Sequence, residues 1–123
     1  KNDFFGENCL ILDNQTIQKN VKIGSNVMIW SGNHIGHETT IDDHTYISSH
    51  VVISGNCKIG KRVFFGVNSS VADHIKIGDD CFVGMGATVT KNMKVGETAI
   101  TKSTQYLDAD DRSNILIKKI FFK

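Results

Sequence analysis

Every sixth residue from Phe5 to Val95 is apolar. The series runs Phe5, Ile11, Ile17, Ile23, Ile29, Ile35, Ile41, Ile47, Ile53, Ile59, Phe65, Val71, Ile77, Val83, Val89 and Val95, and nearly all are β-branched. In a chain with 40% apolar residues, such a run arises by chance on the order of once in a million. Helical periodicity is excluded, because a step of six places successive residues about 240° apart around an α-helix. Short strands that turn a corner every six residues satisfy the pattern. Three of them close an 18-residue triangular coil, and coils stack about 4.8 Å apart as parallel sheets. The prediction is an all-β, three-sided parallel β-helix of about five coils over residues 1–98, roughly 25 Å tall.

Other phases of the repeat agree. Glycine follows the apolar position at Gly6, Gly24, Gly36, Gly60, Gly66, Gly78, Gly84 and Gly96, eight of the eleven glycines in the chain. A corner there calls for a backbone without a Cβ. The position two before each apolar residue is mostly small or β-branched, as at Val27, Thr39, Thr45, Val51 and Val63. All three cysteines, Cys9, Cys57 and Cys81, share this phase. Their successive separations of 48 and 24 are not multiples of 18, so neither neighbouring pair stacks, and they are expected to be free thiols in a reducing compartment. Proline is absent, which suits a chain made of paired strands.

Composition removes several classes of function. The net charge is +1 with no concentrated basic run, which argues against nucleic acid as a partner. No apolar stretch approaches the ~20 residues of a membrane span and no signal peptide opens the chain. A cytoplasmic location is therefore expected.

Four of the five histidines, His34, His37, His44 and His50, crowd into residues 30–55 with the single tryptophan. The repeat turns Ile35 inward and places Gly36 at a corner, leaving His37 and Glu38 exposed there. Eighteen residues on, Gly55 stacks beside His37. A solvated corner and a catalytic pair are both open readings of these residues. Asn33 and His34 flank the same corner, where they could touch an acceptor. Trp30 follows an inward residue and is expected to point outward, toward a subunit interface.

The unbroken hexads, with KIG at 22–24, 58–60 and 76–78 and VGMGATVTKN at 83–92, resemble hexapeptide-repeat acyltransferases. GNHIGHE at 32–38 and SSHVVISGN at 48–56 narrow the resemblance to sugar acetyltransferases of the sialic-acid O-acetyltransferase and bacillosamine-pathway N-acetyltransferase group. It covers about three quarters of the chain. The resemblance implies a left-handed helix, a homotrimer, acetyl-CoA as co-substrate, a sugar or nucleotide-sugar acceptor, and a place in surface polysaccharide biosynthesis.

It also implies roles for residues. A histidine matching His37 is the general base, a glutamate matching Glu38 orients it, and a backbone N–H matching Gly55 stabilises the oxyanion. Imidazole suits that task near pH 7, and a fixed N–H donor stabilises an oxyanion without reorganisation. By position, acetyl-CoA would pass Gly55, Val67, Met85 and Gly86 in a groove between subunits, with Lys91 toward the nucleotide phosphates. Tyr46 stands where bacillosamine-type relatives carry a second histidine, so contact with the acceptor there would differ. Those relatives usually have a nucleotide-sugar-binding domain before the β-helix. Since the hexads already run at Phe5, this chain, which starts at Lys1, is expected to be the β-helix part of such an enzyme.

Two other readings belong to different classes. One is a non-catalytic binding prism. The other is a zinc enzyme of the γ-carbonic anhydrase type, but histidine spacings of 3, 7, 6 and 24 fit its ligand set poorly, and no metal is expected. Beyond residue 98 the hexads stop. Residues 99–123 are expected to form a tail whose apolar stretch 115–122, flanked by Lys118, Lys119 and Lys123, packs as a strand or short helix on the β-helix or a neighbouring subunit.

Overall fold

The computed structural model describes residues 4–122. Residues 1–3 of the expected domain, and Lys123 of the tail, lie outside the described residues. Fourteen two-residue strands, from Leu10–Ile11 to Thr88–Val89, begin six residues apart. Each pairs in parallel with the strand eighteen residues away, as in Ile29↔Ile47, Ile35↔Ile53 and Ile41↔Ile59. With a fifteenth, Thr98–Ala99, they sort into sheets of six, five and four strands, the three walls of a left-handed parallel β-helix of about five turns.

The reason is the hexad itself. Ile29, Ile35 and Ile41, then Ile47, Ile53 and Ile59, are buried, one from each wall per coil. The phase two before them is also inward. Its apolar members Val27, Val51 and Val63 fill the core, and its polar members tie coils together. Thr39 Oγ1 donates to the Ser54 carbonyl at 3.0 Å and Thr45 Oγ1 to that of Gly60 at 2.9 Å. The three free cysteines do the same with S–H donors. Cys9 reaches the Gly24 carbonyl, Cys57 that of Ala72 and Cys81 that of Lys94, at 3.0–3.1 Å. Burial pushes the Cys57 thiol up, which keeps it inert.

The corners use a residue type that the glycine count hides. Positive φ recurs every six residues at Asn8, Asn14, Asn20, Asn26, Glu38, His44, His50 and onward to Asp80. Asparagine tolerates this left-handed backbone best among residues with side chains. The glycines one step after the core residue serve close approach instead: a Cβ on Gly36 would stand 2.5 Å from the Gly55 nitrogen.

The last coil departs from the expected frame. After Val89 the next residue to bridge the coil below is Met93, opposite Ile77, and Thr98–Ala99 then pairs with Phe82–Val83. Both registers are sixteen, two short of eighteen. Val95, expected inward, is consequently 69% exposed. At the other end Phe5 is also exposed, and Phe4 packs against the core in its place.

Beyond Ala99 the tail ends in a helix, Arg112–Phe121, capped by Asp111, whose carboxylate accepts from the Ser113 N–H at 2.8 Å. Lys118 and Lys119 in its last turn complement the helix dipole. None of its residues is buried in the single chain. No helix among the described residues is long and apolar enough to cross a membrane. Urea unfolding separates the true core from the lost frame position. Phe65→Ala should cost about 3–5 kcal/mol, while Val95→Ala should stay within about 0.5 kcal/mol of wild type.

Candidate active site

His37 and Glu38 occupy the turn between strands His34–Ile35 and Thr40–Ile41, on the edge where the five- and four-stranded sheets meet. Stacking by eighteen puts Lys19 and Asn20 one coil below them and Gly55 and Asn56 one coil above. The His37 N–H donates to Gln18 Oε1 at 2.9 Å, and the Glu38 N–H to the Lys19 carbonyl at 3.1 Å. Both side chains stand in partial contact with solvent, 48% and 40% exposed.

His37 Nδ1 lies 2.5 Å from Glu38 Oε1, and Glu38 Oε2 accepts from Asn20 Nδ2 at 2.6 Å. The Asn20 hydrogen bond, and then that of His37, hold the Glu38 carboxyl below its ordinary range. An ionised carboxylate only accepts, so Nδ1 carries the imidazole proton and Nε2 presents a lone pair. That nitrogen faces Gly55: a Cβ there would stand 2.7 Å from it. No described residue accepts from the Gly55 N–H, whereas its carbonyl accepts from the His74 N–H at 3.0 Å. A proton acceptor and a free backbone donor thus sit together on one edge.

The other expected site residues are dispersed. Asn33 is a correction: it is 2% exposed, with Nδ2 donating to the Trp30 carbonyl and Oδ1 accepting from the Val51 N–H at 2.7 Å each. It shares the inward phase of Val27 and Thr39, and its amide is fully used in tying coils together. His34 is half-buried on the five-stranded sheet between Thr16 and Val52, next to the His37 edge. Tyr46 lies on the six-stranded sheet, the wall opposite that edge, so it does not reach His37 of its own chain. Its hydroxyl accepts from Trp30 Nε1 and its ring stacks on Phe64, which stacks on Phe82, with centroids 5.3 and 4.9 Å apart.

Val67, Met85 and Gly86 gather in an open groove of about 850 Å³, with Phe82 and Ile100. This groove borders the edge between the six- and five-stranded sheets. Lys91 instead follows Thr88–Val89 on the His37 edge, three coils above. The proposed cofactor residues therefore divide between two edges of one prism. Gln18 and Asn20 are the site residues the sequence reading missed. Counting eighteen back from Glu38, together with the six-residue recurrence of asparagine, would have found Asn20.

The bacterial transferase hexapeptide (six repeats) family matches residues 20–55 and 56–91, more than half of the chain. No curated protein matches it by sequence. Among solved structures, the acetyltransferase domain of PglB from Neisseria gonorrhoeae in complex with acetyl coenzyme A superposes with a TM-score of 0.70 at 18% identity, over 80% of this chain and 55% of that one. AntD, an N-acyltransferase from Bacillus cereus in complex with dTDP and 3-hydroxybutyryl-CoA, gives 0.61 at 18% identity, over 95% of this chain and 77% of that one. At such identity the likeness is one of fold. The chain spans about half the length of the PglB structure.

Gly55→Ala tests the packing of the imidazole on the edge above it. The φ of Gly55 is one that an alanine adopts, so the new methyl should displace the ring. His37 ring resonances should shift while the circular dichroism spectrum keeps its β-helix form.

Proposed function

The chain belongs to the bacterial transferase hexapeptide family, and from that premise we propose that it transfers an acetyl group from acetyl-CoA to a hydroxyl or amine of a sugar or nucleotide sugar. The observation that carries this reading is His37 Nε2 packed over Gly55, a residue whose N–H has no acceptor among the described residues. His37 takes the proton from the acceptor O–H or N–H as that atom attacks the thioester carbon. The Gly55 N–H donates to the carbonyl oxygen as it becomes an oxyanion. When the carbon–sulfur bond breaks, the imidazolium returns its proton to the leaving thiolate. No enzyme nucleophile is needed.

The division of residues between two edges supports a homotrimer. His37, Glu38, Gly55 and Lys91 on one subunit would face Val67, Met85 and Gly86 on the next, with acetyl-CoA between them. Tyr46 would meet an acceptor only from another subunit, whereas His34, beside the His37 edge, would reach one bound at His37 of its own chain. The exposed helix Arg112–Phe121 would find its cover on a neighbouring subunit. The acyl-CoA and dTDP in the solved structures of similar fold support the substrate classes. Three unpaired thiols support a cytoplasmic location, and acylated sugars of this kind fit the building of surface polysaccharides.

Thiol release from acetyl-CoA, measured against a panel of amino-sugar nucleotides and free sugars, tests the reaction. His37→Ala should lower the rate ~10²–10⁴-fold. A His37→Ala protein with full activity would sink the assignment, and acetyl-CoA binding without turnover of any acceptor would favour a binding module. Light scattering should give three times the chain mass, and a monomer that turns over acetyl-CoA would remove the two-subunit site.

A further inference from the structure

We infer that Asn20 is a positioning residue for the His37–Glu38 pair, holding the Glu38 carboxylate so that one oxygen stays on His37 Nδ1 and Nε2 stays over Gly55. Asn20 and Glu38 are the same corner residue of successive coils, both in left-handed backbone with φ of 61° and 57°. The Glu38 N–H donates to the Lys19 carbonyl, which fixes the distance between the two corners. With its side chain aimed along the edge, Asn20 Nδ2 takes Glu38 Oε2 at 2.6 Å, and the remaining oxygen, Oε1, lies 2.5 Å from His37 Nδ1.

A glutamate on an exposed corner has three side-chain torsions to lose, and one hydrogen bond to a neighbouring imidazole leaves its carboxylate free to swing. A second donor on the other oxygen fixes the plane of the carboxylate, and so also the rotation of the ring bonded to it. Asn20 also favours the ionised form, as the largest of the influences that lower the Glu38 pKa. The titratable groups facing Glu38 are His37 and Lys19, and both lower its pKa. Asn20 touches neither the acceptor nor the thioester in the proposed reaction. It acts through Glu38, and its effect on turnover rests on the acetyl-transfer reading.

The test variant is Asn20→Gly, which removes the donor while glycine keeps the left-handed backbone at no steric cost. Asn26→Gly, the same change at a corner away from His37, controls for the loss of a corner asparagine. In Asn20→Gly the carboxyl ¹³C titration of Glu38 should move to higher pH, and the ¹⁵N shifts of His37 should report a smaller share of the Nδ1–H tautomer. Asn26→Gly should leave both as in wild type. In the acetyl-transfer assay, kcat of Asn20→Gly should fall roughly tenfold with KM for acetyl-CoA unchanged. Asn20→Asp, which sets a carboxylate against Glu38, should not restore it. Wild-type Glu38 and His37 signals in Asn20→Gly overturn the inference even where acetyl transfer is confirmed. Altered signals in a protein that acetylates nothing support the Asn20 contact and count against the reaction alone.

Discussion

Everything in this molecule depends on one coil lying directly on the next, eighteen residues apart. The backbone makes that contact, with the His34 N–H donating to the Val51 carbonyl and the Gly36 N–H to that of Ile53. Parallel strands only two residues long have few ladder bonds each. They persist because each also sends one β-branched side chain into a shared, close-packed interior. The register is then enforced from both sides. A slip by one residue would turn the isoleucine column outward and would separate Thr39, Thr45 and the cysteines from the carbonyls they bind.

The same register assembles the chemistry. Asn20, His37 and Gly55 belong to three successive coils, yet they form a contiguous column because nothing intervenes between stacked corners. Glycine is required twice in this column, for different reasons. At Gly36 a Cβ would strike the backbone of the next coil, and at Gly55 it would strike the imidazole. Glu38 adopts a left-handed conformation that asparagine accepts more readily.

Most of the fold was legible in the sequence, because a strict period of six with β-branched residues has few physical solutions. The stacking of His37 on Gly55 was legible for the same reason, being simple arithmetic on the period. What escaped had local causes. Asn33 was read as an exposed polar residue, although its phase is that of Val27, and a buried amide that spans two coils satisfies every hydrogen bond it needs there. Val95 kept the frame in sequence but lost it in space, since the turn after Val89 is two residues short and Met93 takes the inward slot. Tyr46 was assigned by position along the chain, while the three-sided section puts it half a coil away from His37.

The shortened final coil has a consequence for how the molecule ends. A solenoid is by construction an open-ended polymer: its last rung presents unpaired N–H and C=O groups that would accept another rung of the same kind. Here the terminal rung is offset by two residues, as Met93 opposite Ile77 and Thr98 opposite Phe82 show. A further hexad coil arriving from another molecule would find the backbone groups of one wall out of step with the other two. The shortened coil thus closes this end of the repeat against a further rung of the same kind.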